Sequence, residues 1–295
     1  MDNVTNCNIC GKEGRVIFDM GGYRVRKCSE CRFSWVEEVF DEQTLAGKDY
    51  YWASEFFIKN ERLLRDVSRN EALIIQKYAG RAGVAGRKWL DIGSGFAYLI
   101  SEAKKMGYEV TGIEVNKQTA DYVQKREQLN ILNKLVSETD LEKESFDIIT
   151  MFDVLEHLID PSDAVVKSAK YLKKGGLLAI EVPDDDSLIR KTAALIHCVT
   201  FGAWSEFLRQ SFHQHPGGHR NGFTRRSLER MLEKEGFEVL GVKKTMIPYS
   251  LFISETVRKL RGLKKIIYFI FPSLLYFLSV IFLMQNRIKV YAKKV

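Results

Sequence analysis

The chain has 295 residues, of which 45% are hydrophobic and 28% are charged. This composition is that of an ordinary folded protein and excludes wholesale disorder, and the length allows one large domain with additions or two modest domains. The net charge of +7 originates in residues 241–295, which hold eleven lysines and arginines against a single acid, Glu255. A basic region around an apolar run is typical of a membrane-surface element, whereas a nucleic-acid enzyme more often spreads its basic residues over the catalytic face.

Four of the five cysteines form two Cys-x-x-Cys pairs separated by seventeen residues: Cys7, Cys10, Cys28 and Cys31. Two such pairs supply four thiolates for a tetrahedral zinc ion. Disulfides or free thiols are the alternative, which is disfavoured in a chain without a secretory leader. We expect residues 1–40 to form a zinc ribbon with a structural role, because zinc with four sulfur ligands has no open position for catalysis.

Residues 41–79 are predicted to connect this ribbon to the main domain. The stretch begins with aromatic residues and scattered acids, and residues 55–79 then carry apolar residues at helical spacing. We expect a helix that leads into the core.

From Lys88 onward, strand and helix patterns alternate. The strand patterns are KWLDIG, YEVTGIEV, FDIITMFDV and LLAIEVPD, and the helical patterns between them are AYLISEAKKMG, KQTADYVQKREQL and PSDAVVKSAKYLKKGG. Such alternation indicates an α/β fold with a doubly wound parallel sheet and a ligand at the carboxyl ends of its first strands. We place the core of this domain at residues 80–184.

The first of these strands runs into LDIGSGFAYL. A phosphate-binding loop needs Gly-x-x-x-x-Gly-Lys-Ser/Thr, which is absent. A dinucleotide-binding turn needs a third glycine at Tyr98, where a bulky side chain would crowd the approach of the helix to a diphosphate. What remains is the pattern of Asp91, Gly93 and Gly95. Glu114 follows nineteen residues after Gly95, at the end of the second strand.

This arrangement resembles the class I S-adenosylmethionine-dependent methyltransferases, whose first glycine-rich turn passes beneath the amino acid end of the cofactor. The resemblance covers residues 80–184, and RRSLERMLEKEGFEVLGV at 225–242 extends it. It implies a Rossmann-like sheet of seven strands with the last strand antiparallel, and it assigns both ribose hydroxyls to Glu114. The candidate cofactor-binding residues are Asp91, Gly93, Gly95, Glu114 and Phe152.

FDVLEHL places Asp153, Glu156 and His157 on one face of a predicted helix just beyond the fourth strand. Such a group provides a general base, or it holds a divalent metal that lowers the pKa of a hydroxyl. The alternative is that Glu156 and His157 cap the helix and pair with neighbouring loops. The stretch resembles the ubiquinone-pathway O-methyltransferases, in which a Glu-x-x-Glu-His element approaches the substrate, with Asp153 here in place of the first acid. His157 is the first catalytic candidate. His219 is the second, because Gly-His followed by Phe-Thr resembles an element that lines the active site of this family.

Residues 185–224 form an insertion after the fifth strand, where relatives build a lid over the acceptor. The insertion holds more apolar residues than a solvated lid needs, so we expect a lipid-like or carrier-linked acceptor. Its HQHPGGH stretch has the glycine and proline spacing of a turn, which we prefer to a metal cluster.

Residues 225–295 complete the core and include an apolar run of nineteen residues without a charge, 266–284. As a helix of ~1.5 Å rise per residue, this run would just cross a bilayer. However, both flanks are basic, and RIKVYAKK beyond it alternates like the antiparallel last strand of this fold. We expect a hairpin broken near Pro272, or an in-plane segment, in the cytoplasmic leaflet; a true span and a buried helix pair are the alternatives. Since no basic and apolar leader opens the sequence, we expect a cytoplasmic, membrane-associated protein.

Together these features predict methyl transfer from S-adenosylmethionine to a hydroxyl, with carbon as the second choice, of a small, lipid-like or carrier-linked saccharide acceptor at the membrane surface. The sequence resembles zinc-ribbon-bearing class I methyltransferases, which often modify saccharides or lipid-linked intermediates. Two rival functions stay open. One is a nucleic-acid methyltransferase or binding module, which the charge distribution disfavours, and the other is a non-catalytic membrane-tethered scaffold.

Overall fold

The computed structural model describes residues 4–38, 52–209, 212, 218–257 and 262–295. Part of the predicted connector and part of the predicted HQHPGGH turn therefore lie outside the described residues. Within these residues two sheets are formed, a small one that carries the cysteines and a large one that carries the cavity.

The small sheet is antiparallel and has four strands. Their order is β1 (Arg15–Asp19), β2 (Arg24–Lys27), β3 (Ser34–Val36) and β9 (Asn221–Gly222). The last of these comes from a distant part of the chain and pairs with β3. The predicted ribbon is thus completed by a strand from the insertion.

The large sheet confirms the predicted fold class. Its strands are β4 (Lys88–Ile92), β5 (Glu109–Ile113), β6 (Asn130–Leu132), β7 (Phe146–Phe152), β8 (Leu172–Pro183), β10 (Phe237–Thr245) and β11 (Arg287–Lys294), in the order β10-β11-β8-β7-β4-β5-β6. The strands β4 to β8 are parallel, and β11 is antiparallel to both of its neighbours, β8 and β10. Because the chain progresses outward on both sides of β4, a crevice opens at the carboxyl ends of β4 and β7.

The described helices are α1 (Trp52–Lys59), α2 (Glu61–Ala82), α3 (Tyr98–Lys105), α4 (Lys117–Glu127), α5 (Pro161–Tyr171), α6 (Leu188–Val199), α7 (Glu206–Arg209), α8 (Arg225–Lys234), α9 (Tyr249–Val257) and α10 (Gly262–Ile281). Local sequence explains where several begin. Asp160 caps α5 ahead of Pro161 at its first position, and Thr224 forms a capping box with Ser227 in α8. The helix predicted to run through Gly176 instead ends at Tyr171, because the chain enters β8 at once.

Alternate residues of the central strands face opposite sides of the large sheet, as a strand period of two requires. Leu90 and Ile149 belong to one buried cluster, whereas Trp89 and Ile148 belong to the other. The ribbon residue Phe33 is part of the first cluster and packs on Phe223, with ring centroids 5.1 Å apart. The cysteine-bearing sheet therefore shares its core with the large sheet.

The apolar C-terminal run forms α10 and the turn after it. The helix continues through Pro272, so the predicted break at this residue is wrong; the Ser273 hydroxyl bonds back to the Phe269 carbonyl within the helix. Tyr276 packs against Tyr249 of α9 at a centroid distance of 5.2 Å. In the part of the chain that the structure describes, no helix has the length and apolar character needed to cross a membrane.

Candidate active site

A cavity of about 340 Å³ lies at the carboxyl ends of β4, β5 and β7. The predicted cofactor-binding residues all line it, namely Asp91, Gly93, Gly95, Glu114 and Phe152. His157 lines the same cavity. The structure therefore brings the candidate cofactor residues and the first catalytic candidate to one space.

Glu114 follows β5, and its carboxylate bonds to the turn that follows β4. Its Oε2 accepts a hydrogen bond from the Gly95 amide at 2.8 Å, and its Oε1 accepts one from the Asn116 amide at 2.8 Å. Burial raises the pKa of Glu114, while these backbone donors oppose the rise. Because each carboxylate oxygen has a second lone pair, the side chain retains acceptors for two ligand hydroxyls.

The two glycines of the turn serve different steric needs. Both have positive φ, +73° at Gly93 and +50° at Gly95. A Cβ on Gly93 would stand 2.4 Å from the Val154 Cγ2, so the backbone here approaches the loop after β7 too closely for a side chain. A Cβ on Gly95 would meet nothing within 4 Å. The turn thus leaves the cavity open beside Gly95, and its residues fit the cofactor that the resemblance implies.

Asp91 is buried at the end of β4. The Thr150 hydroxyl donates to its Oδ1 at 2.6 Å, and the Trp89 indole in turn donates to the Thr150 oxygen at 3.0 Å. Burial, and secondarily the neighbouring Glu114, raise the pKa of Asp91 to about 7. A cationic ligand in the cavity would favour the ionised form of this carboxyl.

One wall of the cavity comes from the connector helices, which the sequence did not identify as part of the site. Phe57 of α1 and Leu64 and Val67 of α2 line it, and Phe57 stacks on Phe96 with centroids 5.2 Å apart. The signal in the sequence was the series of apolar residues at helical spacing in residues 55–79. The structure shows that some of them face the cavity. None of the described residues of 185–224 lines this cavity, so the acceptor lid remains a prediction.

The FDVLEHL stretch forms a turn, and the predicted helix there is wrong. Asp153 has φ +56°, which ends β7, and its carboxylate pairs with Arg287 of β11. The chain then turns, so that Glu156 is fully buried and His157 reaches the cavity. Burial, and secondarily the adjacent Asp153 carboxylate, raise the pKa of Glu156 well above its ordinary value.

The second catalytic candidate lies beside the first. The rings of His157 and His219 are 5.0 Å apart in an edge arrangement, and the His157 Nδ1 is 3.1 Å from the Gly218 carbonyl oxygen. Potential ligand atoms of Glu156, His157 and His219 all lie within 4.8 Å of one another. The candidate metal set therefore includes His219 in place of Asp153, because the Asp153 carboxylate is taken by Arg287.

The four N-terminal cysteines form one cluster without disulfides. The Sγ atoms are 3.4 Å apart for Cys7 and Cys31, 3.4 Å for Cys10 and Cys28, and 3.9 Å for Cys10 and Cys31. Tetrahedral zinc with Zn–S bonds of about 2.3 Å needs sulfur atoms about 3.8 Å apart. The cysteines thus fit a zinc ion in position, number and chemistry.

Comparison with known proteins agrees with this geometry. The family profile described as "Methyltransferase domain" matches residues 62–242, more than half of the chain. The chain is 30% identical over 131 residues to the ubiquinone biosynthesis O-methyltransferase of Actinobacillus pleuropneumoniae, covering 41% of this chain and 53% of that protein. It is 26% identical over 147 residues to the protein of the same name from Acinetobacter baylyi, covering 48% and 59%. The matched part thus spans little more than half the length of these relatives.

Solved structures resemble the fold. The geranyl diphosphate C-methyltransferase of Streptomyces coelicolor A3(2) aligns with a TM-score of 0.55 and 14% identity, covering 86% of this chain and 88% of that one. A SAM-dependent methyltransferase from Archaeoglobus fulgidus aligns with a TM-score of 0.51 and 16% identity, covering 81% and 99%. Given the sheet order, the glycine turn with Glu114 and the family match, the chain belongs to the class I S-adenosylmethionine-dependent methyltransferases.

Proposed function

We propose that the chain transfers a methyl group from S-adenosylmethionine to a hydroxyl of a small, lipid-like or carrier-linked saccharide acceptor, with a carbon as the second choice. The observation that carries this proposal is that Glu114 and His157 line one cavity. The name of the curated relatives, ubiquinone biosynthesis O-methyltransferase, supports an oxygen acceptor.

Glu114 would accept the ribose hydroxyls, while Asp91, Gly93, Gly95 and Phe152 would hold the remainder of the cofactor. When bound, S-adenosylmethionine supplies a methyl group already activated on a sulfonium. The chain itself then has to align the acceptor oxygen with that methyl and exclude water, because in-line positioning supplies much of the rate. Phe57 and Leu64 of the connector helices contribute the apolar wall for this task.

His157 is proposed as the general base. When its Nδ1 carries the proton and donates to the Gly218 carbonyl, its Nε2 is the basic nitrogen that receives the proton of the acceptor hydroxyl. Glu156 and His219 stand close enough to polarise this imidazole or to hold a divalent metal with it. One carboxylate and two imidazoles favour zinc or another transition ion over magnesium.

Zinc is proposed at Cys7, Cys10, Cys28 and Cys31. The four thiolates leave this ion no open coordination position, so it would stabilise the ribbon and take no part in methyl transfer.

A membrane surface is proposed as the place of the reaction. Two helices that contact each other, α6 and α10, expose large apolar side chains, and in the turn after α6 Phe201 is 99% and Trp204 68% exposed. The sequence places five basic residues and no acid at 258–265, next to the apolar run. An apolar face beside basic residues matches a bilayer with anionic headgroups, and aromatic side chains suit the headgroup region. Without a spanning helix among the described residues, the face would lie in the plane of the membrane.

Cofactor binding is tested by titrating S-adenosylhomocysteine into the protein in a calorimeter. Replacing Glu114 by Ala should weaken binding by roughly tenfold to a hundredfold, because hydrogen bonds to a charged acceptor are lost. Glu109→Gln, at the exposed opposite end of β5, is the matched control and should bind as the wild type does. Equal affinity of Glu114→Ala and wild type would refute the ribose assignment.

Methyl transfer is tested with labelled S-adenosylmethionine against a panel of lipid and sugar-nucleotide hydroxyl acceptors. Loss of transfer in His157→Asn with intact cofactor binding supports the base. An equal loss in His219→Asn with intact cofactor binding supports the divalent metal instead, because that metal would need both imidazoles. Cofactor binding without transfer to any acceptor would favour the scaffold function. Salt-dependent RNA binding would favour the nucleic-acid alternative.

A further inference from the structure

The turn that carries His157 is held by a side chain from the small sheet. The Asn221 amide nitrogen donates to the Leu155 carbonyl at 2.9 Å and to the Leu158 carbonyl at 2.7 Å. The backbone amide of Asn221 donates to the Glu156 carbonyl at 3.0 Å. One residue thus binds three carbonyls of a four-residue stretch.

These contacts compensate for missing regular structure. Residues 153–158 belong to neither a helix nor a strand, so their carbonyls lack the partners that such elements provide. Asn221 is only 4% exposed, and water is therefore a poor substitute for its amide. Without this side chain the turn would lose buried hydrogen bonds on both sides of His157.

Asn221 is fixed in turn by the cysteine-bearing sheet. As part of β9 it pairs with Trp35 of β3, and the Val36 amide donates to the Arg220 carbonyl at 2.9 Å. The chain enters β3 directly after the second cysteine pair, where the Cys28 amide donates to the Phe33 carbonyl at 2.8 Å.

The first cysteine pair reaches the other end of the same turn. Asn8 stands between Cys7 and Cys10, and its side-chain amide donates to the Ile159 carbonyl at 3.1 Å. The Ser162 hydroxyl, at the start of α5, donates back to the Asn8 carbonyl at 3.1 Å. The two cysteine pairs are therefore connected to the segment 155–162 from both ends.

We propose that Asn8 and Asn221 are positioning residues, through which the cysteine-bearing sheet fixes the orientation of His157. Four of the five candidate cofactor-binding residues lie at the ends of β4 and β5 or on the turns after them, and Phe152 lies in β7 ahead of the clamped turn. Neither asparagine lines the cavity. Removing the hydrogen bonds of the two asparagines should therefore disturb the orientation of His157 and leave the affinity for the cofactor unchanged. This inference rests on the proposed role of His157.

The test replaces Asn221 by Asp, which has the same shape but turns two donors into a carboxylate facing carbonyl oxygens. We expect amide hydrogen exchange in 153–160 to accelerate by about tenfold or more, since two hydrogen bonds to buried carbonyls are lost. The NMR chemical shifts of the His157 ring, identified by their loss in His157→Asn, should change. The dissociation constant of S-adenosylhomocysteine should stay within about twofold.

Asn130→Asp, which alters an exposed amide at the start of β6, is the control and should leave all three measurements unchanged. Asn8→Asp is the second variant, in case Asn221→Asp does not fold, and should loosen the same segment from its other end. Unchanged amide hydrogen exchange of residues 153–160 in the folded variants would overturn the inference. A loss of affinity for S-adenosylhomocysteine as large as the rise in exchange would also overturn it. None of the three measurements needs turnover, so a failure of the proposed reaction remains separable from a failure of this inference.

Discussion

Two carboxylates that line the cavity, Glu114 and Asp91, are each held by a hydrogen bond from the protein. Glu114 supports the Gly95 amide in addition to offering lone pairs to a ligand, so the site is partly assembled before the cofactor arrives. Asp91 is held by a side chain, because it accepts a hydrogen bond from the Thr150 hydroxyl. The cost of this preorganisation is burial of both carboxyls, which raises the pKa of each.

A pH-dependent effect on stability follows for Asp91. In the unfolded chain this carboxyl loses its proton near its ordinary value of 3.8, whereas in the folded protein its pKa is about 7. Below pH 4 the Asp91 carboxyl is protonated in both the folded and the unfolded protein. Between pH 4 and 7 it ionises more readily in the unfolded chain, so rising pH favours unfolding. Above pH 7 the loss of folding stability is complete. In Asp91→Asn this contribution is absent. We therefore expect the free energy of unfolding of the wild type, relative to the variant, to fall by on the order of 3 kcal/mol between pH 4 and 7.

Urea unfolding of both proteins at several pH values from 4 to 9, without ligand, measures this difference. The other titrating groups are common to the two proteins and cancel, apart from Glu114, whose charge is coupled to that of Asp91. Asp121→Asn, which alters a surface carboxylate, should give a difference that does not vary over the same range. Parallel curves for Asp91→Asn and wild type would contradict the raised pKa.

At the scale of elements, α6 and α10 differ from the other helices in what they expose. Helices of globular proteins bury their apolar face, yet on these two neighbouring helices and the turns that follow them many large apolar side chains stay in solvent. β11 follows this region, and its Arg287 and Lys289 reach Asp153 and Phe152 at the cavity. The proposed membrane face is thus joined to the site by a single strand.

The membrane proposal predicts that Phe201→Asp combined with Trp204→Asp reduces binding to vesicles of phosphatidylglycerol. Each large apolar side chain withdrawn from water contributes about 1.5–3 kcal/mol, so the double variant should lose at least about tenfold in partition coefficient. Flotation through a density gradient measures this partition. Added salt, or vesicles of phosphatidylcholine alone, should also weaken binding of the wild type.

Leu73→Asp combined with Val166→Asp is the matched control, because both residues are exposed and lie on other helices, α2 and α5. This control should float as the wild type does. If the wild type fails to float, or the Phe201 and Trp204 variant floats equally well, the apolar face has another role.

At the scale of the whole molecule, the ribbon and the large sheet form one packed body. Phe33 and Trp35 share a buried cluster with Leu90 and Ile149, so neither part buries its apolar surface alone. Removing the proposed zinc from the four cysteines should therefore destabilise the whole chain. Because structural zinc contributes several kcal/mol, we expect a melting temperature lower by roughly 10 °C and a single transition in calorimetry.

Cys10→Ser and treatment with a chelator are the two ways to remove the proposed zinc. Cys198→Ser, at an exposed cysteine outside the cluster, provides the control and should melt with the wild type. Two separate transitions after metal removal would indicate that the ribbon folds independently. An unchanged melting temperature would argue against structural zinc.

Local patterns predicted the strands and helices of the core, and the resemblance to class I methyltransferases then implied the seven-stranded sheet and the cofactor side of the candidate site. The strand and helix periods, the Asp91 to Gly95 turn and the paired cysteines are each encoded within a few consecutive residues, and Glu114 stands at a set distance from the turn. The seven-stranded sheet, the cysteine cluster and the lining of the cavity agree with those patterns. Such features are visible in a sequence because neighbouring residues alone satisfy their geometry.

Tertiary structure decided the acceptor side. FDVLEHL has helical spacing, but the pairing of Asp153 with Arg287, 134 residues away, and the clamp by Asn221 hold it as a turn. His219 reaches His157 only because β9 joins β3. The sequence by itself determined the arrangement of the proposed cofactor half, where strand, turn and acid follow one another along the chain. Contacts between distant segments decided the proposed catalytic half, because no local pattern specifies which buried carbonyl a remote asparagine will bind.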